Sequence, residues 1–159
     1  MGVVEPVVGV REGLRIVEGL IRLEIARLRA SGVPVGQDDY RGLYLSDQQI
    51  DQLLVAAQPD TDFTAQLHRA QVDLSTLSLN ANDRLGVLAR SAGLNAFEIG
   101  CLLLCLALEA DLRFERLFAY VQDDVTKRRP RVDLALRLLC PPDRLAAARS
   151  AFDADNALR

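Results

Sequence analysis

The hydrophobic pattern of the chain is helical almost throughout, and one stretch is apolar on every side. Each residue from Ile99 to Leu108 is apolar or glycine, and a glutamate closes the stretch at either end. Such a run suits the buried centre of a helical domain, and it is too short for a bilayer, which needs about 20 such residues. Because Asn95 and Glu98 form a capping-box pattern, we predict a central buried helix from Ala96 to Glu109.

The first thirty residues are predicted to form one amphipathic helix. Its apolar residues recur every three or four positions, which draws one stripe along the helix. We expect this stripe to dock on the same chain, although it could also form a coiled-coil seam between subunits. A segment rich in Gly and Pro follows, so residues 31–44 are predicted to be a loop. The stripe consists of Val10, Leu14, Val17, Leu20, Ile21, Ile25 and Leu28.

Helix-start signals continue along the chain. Ser46 and Gln49 mark a helix that Pro59 ends, and Asp60 or Thr61 can cap the next helix. A short helix from Asn82 to Ser91 is then expected to end at Gly93. The apolar stripe of the helix before it is Phe63, Leu67, Ala70, Leu74 and Leu77.

Three more helices are predicted in the last third of the chain. Asp111 can cap the first of them, Pro130 fits the first turn of the second, and the Cys140-Pro141-Pro142 sequence stops that second helix. The predicted apolar faces are Leu112, Phe114, Leu117, Phe118 and Val121, then Val132, Ala135, Leu136 and Leu139, then Leu145, Ala148 and Phe152.

Composition agrees with this helical pattern. The chain has 159 residues, the size of one domain, and is 50% hydrophobic but only 5% aromatic, with no Trp. A core of Leu, Ala, Val and Ile favours helices over sheets. We therefore predict an all-α fold for residues 1–159: a compact multi-helix bundle around the central helix. The net charge of -3 gives no global attraction to nucleic acid or to an anionic membrane, and without an export signal a cytoplasmic location is expected.

Few residues suggest chemistry. Cys101, Cys105 and Cys140 are expected to be reduced thiols that pack as small hydrophobic side chains, since a structural zinc site needs four ligands. The single histidine, His68, has no nucleophile or acid placed beside it by a motif. Acidic pairs such as Glu109 with Asp111 fit capping better than acid–base catalysis, and no phosphate loop, dinucleotide fingerprint or hydrolase motif occurs. No catalytic, cofactor-binding or metal-binding residue is predicted.

The densest group of charges is a basic run between acidic residues. Lying between two predicted helices and ahead of a third, it loosely resembles a helix-turn-helix element whose arginines would meet phosphate. The flanking carboxylates would repel a nucleic-acid backbone within a Debye length of about 10 Å, and guanidinium groups suit fixed carboxylate pairs. We favour an ion-pair network, inside the chain or between subunits. The acidic residues are Asp123, Asp124 and Asp133, and the basic ones are Lys127, Arg128, Arg129 and Arg131.

Three stretches carry a resemblance to a known family: Gly42 to Leu54 (GLYLSDQQIDQLL), Phe97 to Leu139, and Leu145 to Phe152 (LAAARSAF). They are similar to the N-terminal region of a family of bacterial AAA ATPases, some encoded beside contractile, phage-tail-like injection systems. The resemblance implies a helical pre-ATPase domain, followed beyond Arg159 by a winged-helix-like segment and a nucleotide-binding module. ATP and magnesium would then belong to that absent module.

The resemblance and the charge pattern together predict a non-catalytic domain that docks partner proteins or neighbouring subunits. Assembly of like subunits is left open, and neither a membrane nor nucleic acid is the favoured partner. The alternatives are a nucleic-acid-binding module that uses the basic run and, more remotely, a small enzyme with a polar pocket. The predicted contact surface includes the exposed part of the helix from Asp111 to Asp123, with Asp124, Lys127, Arg128, Arg129 and Arg131 beyond it.

Overall fold

The fold is all-α, as predicted. The structure is a computed structural model, and it describes residues 8–31, 50, 62–77, 83–153 and 155–156, among which no strand occurs. The predicted loop 31–44 beyond Ser31, and the helix signalled by Ser46 apart from Ile50, lie outside these described residues. The helices are α1 (Val8–Ala30), α2 (Phe63–Leu77), α3 (Arg84–Ala92), α4 (Ala96–Ala110), α5 (Arg113–Val121), α6 (Val132–Leu139) and α7 (Leu145–Arg149), the last between 3₁₀ turns at Pro142–Arg144 and Ser150–Phe152.

Helix α4 is the predicted central helix and begins at the predicted residue. The Glu98 main-chain N–H donates to Asn95 Oδ1 at 3.0 Å, and the Asn95 N–H donates to Glu98 Oε2 at 2.9 Å, so the capping box is confirmed. Helices α1, α2, α5 and α6 all pack against α4, and Leu103 is fully buried. One edge is less enclosed than predicted, because Cys105 is exposed and Leu102 is only half-buried.

Helix α1 docks on the same chain, so the prediction of intrachain docking is confirmed. Val17 and Ile21 are fully buried, and the helix contacts α2 and α4 most extensively. Gly13 permits this approach, because a Cβ built there would lie 2.6 Å from Leu103 Cδ2. A side chain at this position would therefore force the buried Leu103 side chain to shift.

The helix caps differ from two predictions. The Ala65 N–H donates to Asp62 Oδ1 at 3.0 Å, so Asp62 fills the role at α2 that was predicted for Asp60 or Thr61. Helix α3 begins at Arg84 rather than Asn82, because the Asp83 carboxylate accepts the Leu85 N–H at 2.6 Å. The carboxylates of Asp62 and Asp83 thus provide the two caps.

The predicted ends of α3 and α6 are both confirmed. Gly93 follows α3 with φ of 65°, in the left-handed conformation that favours glycine. Cys140 ends α6 in an extended conformation immediately before Pro141 and Pro142. The predicted final helix is shorter than a regular helix, since only Leu145–Arg149 is α-helical.

Helices α5 and α6 bury most of their predicted faces, but the first residue of each face was assigned wrongly. Leu112 is 74% exposed because it lies in the turn before α5, where Asp111 Oδ1 accepts the Arg113 N–H at 2.9 Å. Val132 is 47% exposed because it is the first residue of α6. Pro130 does not lie in the first turn of α6, since it precedes the extended cap residue Arg131.

Candidate functional site

The segment that joins α5 to α6, residues 122–131, is the best candidate for a functional surface, and we name it the arginine turn. One side chain holds its two ends together. Gln122 Nε2 donates to the carbonyls of Phe118 (3.1 Å), Lys127 (2.8 Å) and Arg129 (3.0 Å), while Gln122 Oε1 accepts the Arg131 N–H at 3.3 Å. Hydrogen bonds of the Gln122 side chain therefore connect the main chain of the turn to the end of α5.

The acidic half of the turn is also fixed by local hydrogen bonds. Asp124 Oδ1 accepts from the Thr126 N–H at 2.9 Å and from the Thr126 hydroxyl at 2.6 Å, and Lys127 Nζ lies 3.2 Å from Asp124 Oδ2. The hydrogen bonds from Thr126, followed by the Lys127 charge, lower the pKa of Asp124 to about 2. Asp123 turns the chain with φ of 49° and is exposed. Asp124 and Lys127 thus shape the turn.

The three arginine side chains of the turn are exposed, although Arg128 Nε donates to the Val125 carbonyl at 3.4 Å. Arg128 is 67% exposed, and its Nη1 lies 3.9 Å from Glu115 Oε2, at the limit of an ion pair. Arg129 and Arg131 are exposed, and neither forms an ion pair with any residue that the structure describes. Val132 follows directly and is also exposed. The turn consequently offers exposed arginines, and an exposed apolar residue follows them directly in the chain.

The base of the turn is anchored to the core by Arg137 of α6. Its Nη2 donates to the Val121 carbonyl at 3.1 Å, and its Nε lies 3.2 Å from Asp133 Oδ2. Its Nη1 donates to Glu24 Oε1 of α1 at 2.6 Å. Glu24 is only 5% exposed and accepts two further bonds, each of 2.8 Å, from Arg27. This closed cluster of Glu24, Arg27 and Arg137 fixes the position at which the turn begins and ends.

A cavity of about 510 Å³, whose wall includes the three residues of the closed cluster, is a second candidate site. Its wall is mainly aliphatic. His68 contributes to the wall but is exposed, and Gln71 at the wall donates to the Leu139 carbonyl at 2.8 Å. The lining includes Leu20, Leu23, Leu67, Leu138, Pro141 and Leu145.

The cysteines have different environments. Burial, with smaller contributions from Cys105 and Glu98, raises the pKa of the Cys101 thiol to about 12, so this thiol stays protonated. Cys140 is also buried, as expected for a packing role, whereas Cys105 is exposed. Across the described ranges, no group of three or more His, Cys, Asp and Glu residues could hold a metal ion. No described helix is long and apolar enough to cross a membrane.

The six charged residues predicted for the contact surface all lie on the arginine turn, but they have different roles. Asp124 and Lys127 pair with each other, while Asp123, Arg128, Arg129 and Arg131 face solvent to a greater extent. Of the predicted acidic pair Glu109 and Asp111, Glu109 is exposed, and Asp111 Oδ2 binds Arg113 Nε at 2.6 Å.

Two features of the site were not apparent from the sequence. The bridging role of Gln122 carries no local signal, because its partners extend from the preceding helix to the far end of the turn. The exposure of Val132 could have been expected only if the start of α6 had been assigned correctly. Its exposure directly after Arg131 adds an apolar residue to the charged surface of the turn.

The fold and the turn define a small helical domain with an exposed basic turn. The family model described as "Winged helix domain, variant" matches residues 10–159, and the chain belongs to this family. This match covers the region that the resemblance assigned to a helical pre-ATPase domain. No curated protein and no solved structure matches the chain.

Proposed function

We propose that the chain is a non-catalytic docking domain of an AAA-type ATPase, which binds partner proteins or neighbouring subunits through the arginine turn. The single observation that carries this proposal is the combination of a main chain held by Gln122 with arginine side chains that stay exposed. Arginine is enriched in protein interfaces and lysine is depleted. The one lysine of the turn, Lys127, is already paired with Asp124.

The ATPase context rests on the resemblance of the three stretches described above. Under this proposal ATP and magnesium bind to another part of the parent protein, and residues 1–159 carry no catalytic residue. A cytoplasmic bacterial protein, in some cases associated with a contractile injection system, is part of the same proposal. Membership of a winged helix family is compatible with it, because such modules bind proteins as well as DNA.

Two features favour protein over nucleic acid. The arginine turn covers residues 122–131, whereas the turn of a helix-turn-helix element has about 3–4 residues. Helix α6, which would read bases after such a turn, instead buries Leu134, Leu136 and Leu139 in the core, and its Arg137 is held by Glu24. Helix α6 therefore offers no row of free basic side chains to a DNA groove.

Nucleic-acid binding is the second candidate, because winged helix domains include DNA-binding modules. The helix pair α3 and α4, joined across Gly93, Leu94 and Asn95, has the order and turn length of a helix-turn-helix element. Its second helix, however, is the buried α4, whose exposed residues include Cys105 and Glu109 but no Lys or Arg. Helix α4 therefore offers no exposed basic side chain to DNA, and this second candidate function relies on the arginine turn instead.

Site-specific photo-crosslinking in the natural full-length protein tests the docking role. A photo-reactive amino acid is placed at Val132, and a matched control is placed at Val87 of α3; the two side chains are 47% and 52% exposed. We expect crosslinks from position 132 to an identified protein, either a neighbouring subunit or another protein, and we expect them to disappear with Arg129→Ala and Arg131→Ala. Crosslinks to nucleic acid alone, or equal crosslinks from position 87, would contradict the proposal.

A further inference from the structure

The arginine turn is organised before any partner arrives. Four hydrogen bonds of the Gln122 side chain reach main-chain atoms of residues 118, 127, 129 and 131. The Lys127 and Arg129 carbonyls each accept one of these bonds, and the exposed side chains of Arg128, Arg129 and Arg131 are the groups that the turn offers for recognition. Since the backbone is already ordered, binding does not have to offset the entropy of ordering it.

The hydrogen-bond donors that remain exposed on the turn are guanidinium groups, which share one planar geometry. A guanidinium is a planar fork that matches the two oxygens of a carboxylate, and such bidentate bonds are stronger than neutral ones. Lys127 Nζ, the point charge of the turn, lies 3.2 Å from Asp124 Oδ2 and is already engaged. The surface therefore selects for carboxylates presented in fixed positions.

The neighbours of the arginines indicate which carrier of carboxylates fits. Val132 is exposed directly after Arg131, and the exposed acids Asp123 and Asp133 lie at the two ends of the turn region. A uniform polyanion would place negative charge against these acids, and it would leave Val132 without an apolar contact. A peptide can alternate acidic and apolar side chains and so avoid both penalties.

From these contacts we propose that the arginine turn binds an acidic segment of a partner protein, with carboxylates opposite Arg129 and Arg131, an apolar side chain against Val132, and Gln122 as the positioning residue. This proposal rests on the docking function above and names the chemistry of its partner.

The test is a binding titration by fluorescence anisotropy. The probes are a short labelled peptide in which Glu and Leu alternate, the same peptide with Gln in place of Glu, and a short DNA duplex, at about 0.15 M salt. We expect the Glu peptide to bind more tightly than the other two probes. Arg129→Ala and Arg131→Ala should each weaken its binding about fivefold, since a partly exposed charge pair contributes about 1 kcal/mol.

Two further variants separate positioning from folding. Arg149→Ala removes an exposed arginine of α7 and should leave binding unchanged. Gln122→Ala should weaken binding of the Glu peptide by a similar factor while the protein remains folded. Its effect should vanish in the Arg129→Ala, Arg131→Ala background, because a positioning residue acts only through the groups that it positions.

Three results would overturn the proposal: tighter binding of the duplex, equal binding of the Gln peptide, or unchanged binding in the Arg129→Ala and Arg131→Ala variants. Failure of the docking function itself is recognised separately. If crosslinks from position 132 reach a protein while the Glu peptide does not bind, docking stands and the acidic chemistry is rejected. If the crosslinks reach nucleic acid alone, docking is rejected as well.

Discussion

The closed cluster and the arginine turn contain the same kinds of charged side chain but differ in what is left unsatisfied. In the closed cluster, Glu24 is buried and both of its carboxylate oxygens accept bonds from Arg27 or Arg137. In the arginine turn Gln122 holds the main chain by hydrogen bonds, whereas Arg129 and Arg131 have no ion pair among the described residues. The charge of Glu24 is thus paired inside the chain, whereas the charges of Arg129 and Arg131 remain available to a partner.

This difference follows from burial. An ionised carboxylate away from water is tolerated only when it is paired and hydrogen-bonded, so Glu24 requires its two arginines. Exposed arginines have no such requirement, because water solvates them. A group of exposed arginines on an ordered backbone is therefore not needed for folding, and this makes a binding role the more economical explanation of the turn.

The largest expected effect comes from opening the closed cluster. Glu24→Ala leaves Arg137 without its buried partner, so we expect a loss of about 2–4 kcal/mol in the free energy of unfolding, measured by urea denaturation. Glu12→Ala is the matched control on the same helix. Glu12 pairs with Arg15 at 3.0 Å, but both side chains are at least half exposed, so the control should change stability by less than about 0.5 kcal/mol. Equal losses of stability in the two variants would contradict the claim that the buried carboxylate of Glu24 depends on its partners more than an exposed one does.

A smaller effect is expected from the residue that orders the turn. Gln122→Ala removes a set of partly exposed hydrogen bonds to the main chain, and we expect a loss of about 1 kcal/mol in the free energy of unfolding. Thr76→Ala is a suitable control, because its hydroxyl bonds only to the Val72 carbonyl of its own helix. A loss from Gln122→Ala as large as that from Glu24→Ala would mean that the turn is part of the folding core rather than a surface built upon it.

The smallest expected effect is a local change in the arginine turn when Asp124 is protonated at low pH. The pKa of Asp124 is about 2 in the folded chain, below its ordinary value of 3.8. Its stabilising contribution is therefore complete above pH of about 4, and it is lost as the pH falls through about 2. In a pH titration followed by NMR, the Thr126 amide should shift with a midpoint near pH 2, and Asp124→Asn should abolish that shift. A midpoint near 4 would show that Asp124 does not hold the turn.

The central helix could be predicted because its signals are local. A capping box lies within four residues, and the apolar run that follows has no other favourable environment than a core. The same reasoning was less successful at the starts of α2, α3 and α6. Asp62 rather than Asp60 or Thr61 caps α2, because several adjacent polar residues satisfy the same pattern and only the path of the chain selects one.

The site itself was only half predictable. The charged residues of the turn were visible as a run, but their separation into pairing and exposed members depends on how the chain folds between α5 and α6. Arg137 and Glu24 are 113 residues apart, so no local pattern could join them. The bridging role of Gln122 has the same cause, since its acceptors become neighbours only when the turn has formed.

The central claim is that the arginine turn has one conformation, held by Gln122, in the chain without a partner. Hydrogen exchange of the Gln122 side-chain amide, followed by NMR on the isolated chain, tests this most directly. We predict slow exchange, because the amide donates to the carbonyls of residues 118, 127 and 129. Exchange as rapid as that of a free glutamine would contradict the claim, and with it the proposed role of the turn as a pre-organised binding surface.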